Sequence, residues 1–333
     1  MKRLYYFFSS FVLILCLMNC VSSTQKEQVE NKPSYTKLKG KIFGTTYYIV
    51  YKDTVNYQKE FDSIFSLFNN SLSTYTPNSI ISKVNQGDST VVVDAYFIEA
   101  FEKAQKIYKD TEGYFDPTIG KLINAYGFGS GETIKNLSEN EIQTLLDSKG
   151  FEKVTLKENK VLKPENIEFN VNAFAKGLGI DVIGRFIEKQ QIKDYLVEIG
   201  GEIRARGKNS ENVFWRLGID DPNTDQTRSY SRVISLKNQS MATSGNYRKF
   251  RLNEKGEKIV HTVNPKTGMA QESNLLSVSV LKEGDCADVD AYATAFLAMG
   301  LEKTKSFLTT HPELKVVLLF SNDKGEIEEY SNR

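Results

Sequence analysis

The stretch Asp285–Gly300, DCADVDAYATAFLAMG, decides how the chain is read. Ala287, Ala291, Ala293, Ala295, Phe296, Leu297, Ala298 and Met299 form a small-residue helix fit for burial, and Gly300 supplies its stop. Asp288 and Asp290 fall at its start, where free N–H groups and the helix dipole favour negative charge. Asp290 and Thr294 stand four residues apart, so a carboxylate and a hydroxyl share one helix face, one turn from each other. Such a pair is common as a cap with a back-bonded hydroxyl. The same two oxygens also suit a hard cation such as Mg2+, given further donors from elsewhere.

With 333 residues and 40% hydrophobic content the chain can bury a large core, as two domains or one large α/β unit. The formal net charge of +1 gives no support for nucleic-acid binding or a strongly cationic membrane surface. Lys2 and Arg3 precede an apolar run, Leu4–Met18, too short to span a bilayer comfortably and suited to a signal-peptide core. It ends in Leu17-Met18-Asn19-Cys20 and is followed by a polar stretch without apolar periodicity. This resembles a bacterial lipoprotein signal in which Cys20 is lipidated and residues 21–35 form a flexible tether, with Asn19 departing from the usual small residue. An ordinary cleaved signal peptide and a membrane anchor are the alternatives. Cys16 lies in the signal core, so Cys20 and Cys286 cannot build a disulfide framework.

Further along, Thr36–Lys52 predicts a strand pair, or one long strand bent at Gly44. Phe61, Ile64, Phe65, Phe68 and Leu72 give an amphipathic helix over Asn56–Leu72, and a second follows a strand at Thr90–Val93. Asp116-Pro117-Thr118 would open a short helix to Tyr126. The glycine-rich Gly127–Gly131 lacks the Lys-Ser/Thr ending and preceding strand of a phosphate loop and reads as a connection. Ser138 and Glu141 form a capping box. Strands are expected at Lys153–Leu156 and Ile167–Val171, then a helix over Asn172–Gln190 whose Gly177 and Gly179 require something close by, a backbone or a ligand. Asp194–Gly207 reads as two strands meeting at Gly200-Gly201, and Phe214–Asp220 and Ser229–Leu236 as two more. Met241–Tyr247 reads as a polar turn. Strands at Lys249–Leu252, Lys258–Thr262, Leu275–Leu281, Val316–Phe320 and Ile327–Tyr330 complete a pattern that fits α+β or a mixed sheet better than an alternating parallel one.

The polar and glycine-bearing turns together carry a resemblance. Phe43-Gly44-Thr45, Ser73-Thr74-Tyr75 with Ser79 and Asn85, Gly113-Tyr114-Phe115-Asp116-Pro117-Thr118, and Ala175-Lys176-Gly177 with Asp181 come first. Gly200-Gly201-Glu202, Thr243–Tyr247, His261 with Asn264-Pro265-Lys266-Thr267-Gly268, and Asp290–Ala295 follow. In this order they resemble the FAD:protein FMN transferase family, the ApbE-type lipoproteins, over residues 36–333. The resemblance implies a mixed two-part α/β architecture of the T-fold-like ApbE type with FAD held between the parts. It implies Mg2+ held by Asp290, Thr294 and the backbone carbonyl of Ala173. It places Phe43, Tyr75, Tyr114, Phe115, Asp116, Asn170 and Lys176 along the flavin nucleotide; Asn170 stands where some relatives carry Asp, and Phe43 where Met is common. His261 is implied at the site, and either His261 or Asp290 could take the acceptor proton. Cys286 has no role in the family and reads as a small buried thiol.

The expected activity is Mg2+-dependent transfer of FMN from FAD to a Thr or Ser hydroxyl of a partner protein, releasing AMP. Family targets carry an Asp-x-x-x-Ser-Gly-Ala-Thr-type motif and belong to membrane electron-transport complexes of the Nqr and Rnf type; this chain has no such motif. Hydrolysis of FAD to FMN and AMP, and non-catalytic FAD carriage by a lipoprotein, are the competing readings. The expected location is the bacterial cell envelope, lipid-anchored and facing the periplasm.

Overall fold

The computed structural model describes residues 34–220, 230–246, 250–252, 254, 256–270 and 273–333. The expected signal segment, the tether up to residue 33, Cys20 and Tyr247 lie outside the described residues. The hairpin β1 (Thr36–Ile42) and β2 (Thr45–Tyr51) opens the chain, so the first stretch is a strand pair. Its two-residue turn holds Phe43 and Gly44 both at positive φ, 51° and 72°. Helices α1 (Gln58–Leu72), α2 (Ile80–Asn85), α3 (Ala95–Asp110), α4 (Gly120–Ala125) and α5 (Glu139–Asp147) follow. Phe61, Phe65, Phe68 and Leu72 form the buried stripe of α1, and the capping box of Ser138 and Glu141 starts α5 as the sequence indicates.

A small hairpin, β3 (Thr155–Lys157) and β4 (Lys160–Leu162), leads to α6 (Ala175–Lys189). Next come β5 (Tyr195–Ile199), β6 (Glu202–Arg206), the hairpin β7 (Trp215–Asp220) and β8 (Tyr230–Leu236), and β9 (Gln239–Gly245). The hairpin β10 (Phe250–Leu252) and β11 (Lys258–Val260) precedes β12 (Leu275–Glu283), α7 (Cys286–Met299), α8 (Leu301–Leu308), β13 (Lys315–Ser321) and β14 (Ile327–Ser331).

The fold is α+β. Eight strands form one sheet in the order β1-β2-β5-β6-β9-β12-β13-β14, every neighbouring pair antiparallel. Side-chain alternation sorts its two faces. Ile49, Tyr51, Val197, Val280, Val316 and Leu318 join the core shared with the helices. Val50, Leu196, Val317 and Leu319 point the other way, into a second core with Trp215, Ile219, Ile234 and Leu236 of the β7–β8 hairpin.

Three expectations change. Met241–Gly245 is the central strand β9, paired with β12 along its whole length, where a polar turn was expected. Its polar residues face a cavity and neighbouring hydroxyls, so they need no solvent. Thr90–Val93 is extended but unpaired as a strand; the Val93 amide donates to the carbonyl of Asn159. Residues 167–171 make only an isolated bridge, Ile119 to Glu168, and are fixed instead by Asn85, whose amide side chain both donates to the Phe169 carbonyl and accepts its N–H, each at 2.8 Å.

Candidate active site

The pairing of β6 with β9 lasts only two residues, Ile203 with Met241 and Arg204 with Ser240. Beyond it the strands part, and a cavity of about 720 Å³ occupies the opening. The Gly200-Gly201 turn, Glu202, Thr243 and Ser244 line it from the sheet, and Arg216 and Gly218 from β7. The cavity size suits a nucleotide-sized ligand. The residues expected at the flavin, the cation and the proton transfer all line this one cavity: Phe43, Tyr75, Tyr114, Phe115, Asp116, Asn170, Ala173, Lys176, His261, Asp290 and Thr294.

One end is polar and buried. The N–H of Gly177 donates to Asp290 Oδ2 at 3.1 Å, and Thr294 Oγ1 donates to the carbonyl of Ala173 at 3.3 Å. Ser244 Oγ lies 3.3 Å from the same Thr294 hydroxyl. Lys176 Nζ forms an ion pair of 2.5 Å with Glu202 Oε2. Burial drives the Asp290 carboxyl well above the ordinary carboxylate range; Lys176 opposes this and Glu202 adds to it. Burial also raises Glu202, against the pull of Lys176. The lysine itself is raised, because Asp290 and Glu202 outweigh the burial that would lower it.

Close helix packing delivers these groups. A Cβ on Gly177 would lie 2.6 Å from the carbonyl oxygen of Cys286, so glycine lets α6 meet the first turn of α7 backbone to backbone. The neighbour of Gly179 is the ring of Phe43, 2.6 Å from where a Cβ would stand. Phe43 packs on Phe68 at 5.1 Å and edge-on to Phe65 at 5.8 Å. Its left-handed backbone is unusual for an aromatic residue and aims the ring at the cavity.

Another part of the wall is built from two loops that brace each other. Asp116 Oδ1 accepts from the N–H and hydroxyl of Thr118, and Asn170 Oδ1 accepts from the N–H of Asn172. The N–H of Asn170 donates to the Pro117 carbonyl at 2.7 Å. Asp116 thus folds its own loop, and the helix expected at Thr118 begins two residues later at Gly120. Burial raises the Asp116 carboxyl despite the Thr118 bonds and Lys149. Phe115 is 2% exposed and packs edge-on to Phe174, which makes it chiefly a core residue that shows one edge to the cavity. Tyr114 is flanked by Lys303 at 4.6 Å and Lys266 at 5.7 Å from its ring. Tyr75 is 61% exposed at the rim, and its hydroxyl reaches the Phe128 carbonyl at 3.5 Å. His261 follows β11 and meets the ring of Phe128 edge-on at 6.4 Å.

Glu202, Ser244 and Phe128 complete the cavity without having been assigned roles from the sequence. Glu202 was visible only as the end of a glycine turn, Ser244 only in a supposed loop, and Phe128 only in a glycine-rich connection. Ser79 and Asn85 take structural parts instead, capping α2 and holding the Phe169 loop. Cys286 is fully buried, and burial drives its thiol far above the ordinary value, so it is no nucleophile.

The donors fit a hard cation. Among the described residues no group of three His, Cys, Asp or Glu side chains gathers as a metal centre. What converges here is one carboxylate, one hydroxyl and one backbone carbonyl, an all-oxygen set that leaves positions for phosphate and water, as Mg2+ prefers.

The ApbE family model matches residues 43–318. The FAD:protein FMN transferase of Haemophilus influenzae is 32% identical over 316 residues, covering 89% of each chain. That of Vibrio cholerae is 32% identical over 314 residues, 91% of this chain and 92% of its own. The solved flavin transferase ApbE of V. cholerae superposes with a TM-score of 0.79 at 30% identity, covering 90% of this chain and 97% of that one. The ApbE protein of Thermotoga maritima shares the fold, with a TM-score of 0.78 at 24% identity and coverage of 89% and 96%. The match runs from the Phe43 turn through the sheet opening to the strand after α7, and the chain carrying them belongs to the ApbE family.

Proposed function

We propose that the chain is an FAD:protein FMN transferase that moves FMN from FAD to a Thr or Ser hydroxyl of a partner protein and releases AMP. The observation that carries this reading is the convergence of Asp290, Thr294 and the Ala173 carbonyl with Lys176 at the buried end of one nucleotide-sized cavity that His261 also lines. When bound, Mg2+ supplies charge neutralisation at the FAD diphosphate, and Asp290, Thr294 and the Ala173 carbonyl would hold it.

Lys176 is drawn to the diphosphate in the same way that it is drawn to Glu202 in this structure, by charge. Phe43, Tyr75 and Tyr114 offer aromatic faces to the ring systems, and Asp116 and Asn170 shape the wall between them. The acceptor oxygen forms a bond to the FMN-side phosphorus as the bond from that phosphorus to the bridging oxygen breaks. The bridging oxygen leaves on AMP. The hydroxyl proton passes to a ring nitrogen of His261, since Asp290 accepts from the Gly177 amide and would hold the cation. Positioning and charge compensation supply most of such a transfer.

The proposed acceptors are electron-transport subunits of the Nqr and Rnf type carrying the Asp-x-x-x-Ser-Gly-Ala-Thr motif. The enzyme would meet them at the periplasmic face of the envelope, held by lipid on Cys20; Cys20→Ser should release it from membranes, and unchanged retention counts against the anchor. Incubation of the mature chain with FAD, Mg2+ and a protein bearing the motif tests the chemistry. A flavin-fluorescent acceptor band on a denaturing gel is the expected result, lost in Asp290→Ala. Free FMN and AMP without labelling would mean hydrolysis, and unchanged FAD would mean carriage.

A further inference from the structure

Asp181 on α6 is fully buried, yet it touches no part of the cavity. Its Oδ1 accepts from the N–H of Cys286 at 2.8 Å and its Oδ2 from the N–H of Ala287 at 2.9 Å. Those are the first two amides of α7, which the N-cap residue Asp285 leaves uncapped by its own side chain. Asp285 instead binds Lys103 of α3 and Arg204 of β6, at 2.7 and 2.8 Å. Arg204 Nη1 also donates to Asp181 Oδ1 at 2.7 Å. Gly184 gives the arginine its passage, since a Cβ there would lie 2.8 Å from Arg204 Cδ.

Further along, α7 is held toward α3 by the Tyr292 hydroxyl on Asp110 at 2.8 Å and toward α8 by the Phe296 and Phe307 rings. Ala287, Ala291, Ala293 and Ala295 are buried, and their shallow ridges let neighbouring elements approach closely. Asp181 adds a directional anchor from α6 at the first turn, on the backbone itself. The anchored turn directly precedes Asp290 and Thr294, and the same α6 presents the Gly177 amide to Asp290.

We infer that Asp181 is a positioning residue for the cation end of the cavity: by capping α7 from α6 and gripping Arg204 of β6, it sets the register in which Asp290 and Thr294 face the Ala173 carbonyl. The inference rests on the reading of those three groups as cation ligands. It assigns the metal site a support that never touches the metal, in the manner of outer-shell partners whose loss costs roughly 10–100-fold in affinity.

The test uses the full mature chain and Mn2+ alone as a probe for the Mg2+ site, with free Mn2+ counted by electron paramagnetic resonance. Asp181→Asn keeps one acceptor oxygen and loses the charge and the second amide bond. Its apparent Kd for Mn2+ should rise about tenfold. Glu188→Ala removes a different carboxylate from Arg204, one with no bond to α7; it should lower the thermal midpoint and leave the Mn2+ Kd within about twofold of the parent. An unshifted Kd in folded Asp181→Asn overturns the inference, and so does an equal shift in Glu188→Ala, which would mean that the network acts only through general stability. If Asp181→Asn does not fold, Arg204→Gln is read the same way, because it removes the charge and the Nη1 that bonds both Asp181 and Asp285: a raised Kd supports the assignment and an unchanged one refutes it. A parent chain that binds no Mn2+ removes the cation reading itself and the inference with it.

Discussion

Asp285 illustrates how a single side chain can be misjudged from its position. Placed just before a helix it looks like an N-cap, but its carboxylate turns to Lys103 and Arg204 and leaves the helix amides to Asp181. Burial would raise its carboxyl, and the two cations overcome this and hold it down at about 2. A carboxyl held below its unfolded value stabilises the fold above pH ~4, and that stabilisation is lost as pH falls toward 2. It amounts to about 1–2 kcal/mol once partial exposure is allowed for. Thermal melts at pH 5 and pH 2.5 should therefore show a smaller acid loss in Asp285→Asn than in the parent; equal losses would deny the depressed carboxyl. The helical spacing of Asp290 and Thr294 was legible because one turn of helix fixes it. Asp181 was named only as a motif position, since a cap supplied by another helix leaves no mark in the sequence around α7. The available clue was a carboxylate set between Ile180 and Val182 in a strongly apolar helix.

At the level of elements, the two glycines of α6 turn out to serve different neighbours. Alanine at position 177 gains up to ~1 kcal/mol in helix propensity but collides with the backbone of Cys286 and Ala287, which can yield only by moving α7. We expect Gly177→Ala to lose about 2 kcal/mol and several degrees of thermal midpoint. Gly179→Ala meets only the Phe43 ring, which can swing, and should cost less. Reversal of that order in denaturant titrations would contradict the packing described for α6 on α7. Most helices and hairpins were legible because their signals are local: the phenylalanine stripe of α1, the capping box of α5, the glycine pair between β5 and β6. The central strand β9 was not. Thr243 and Ser244 break the apolar alternation of a buried strand because they face Ser279 and Thr294 hydroxyls and the cavity.

Over the whole molecule, the sheet order records which strands belong to the scaffold. The three breaks in numerical order are filled by the self-paired hairpins β3–β4, β7–β8 and β10–β11, and two of these contribute to the cavity through Arg216 and through His261 just after β11. Local sequence signals identify the hairpins but cannot say that β6 skips to β9, nor that the two part after two residue pairs. That opening creates the cavity, so its place became visible only with the strands assembled. It also makes a thermodynamic prediction about its two proposed occupants. A cation at Asp290 and Thr294 and a diphosphate beside it neutralise each other in a buried place where either charge alone is poorly solvated, so each should tighten the other, by the same factor. FAD affinity measured by flavin fluorescence should rise about tenfold on saturation with Mg2+, within the usual range of such couplings. Mg2+ affinity should rise equally on saturation with FAD. In Asp290→Ala, FAD should still bind through the aromatic and loop contacts, while the coupling vanishes. Full coupling retained in that variant would place the cation elsewhere than on α7.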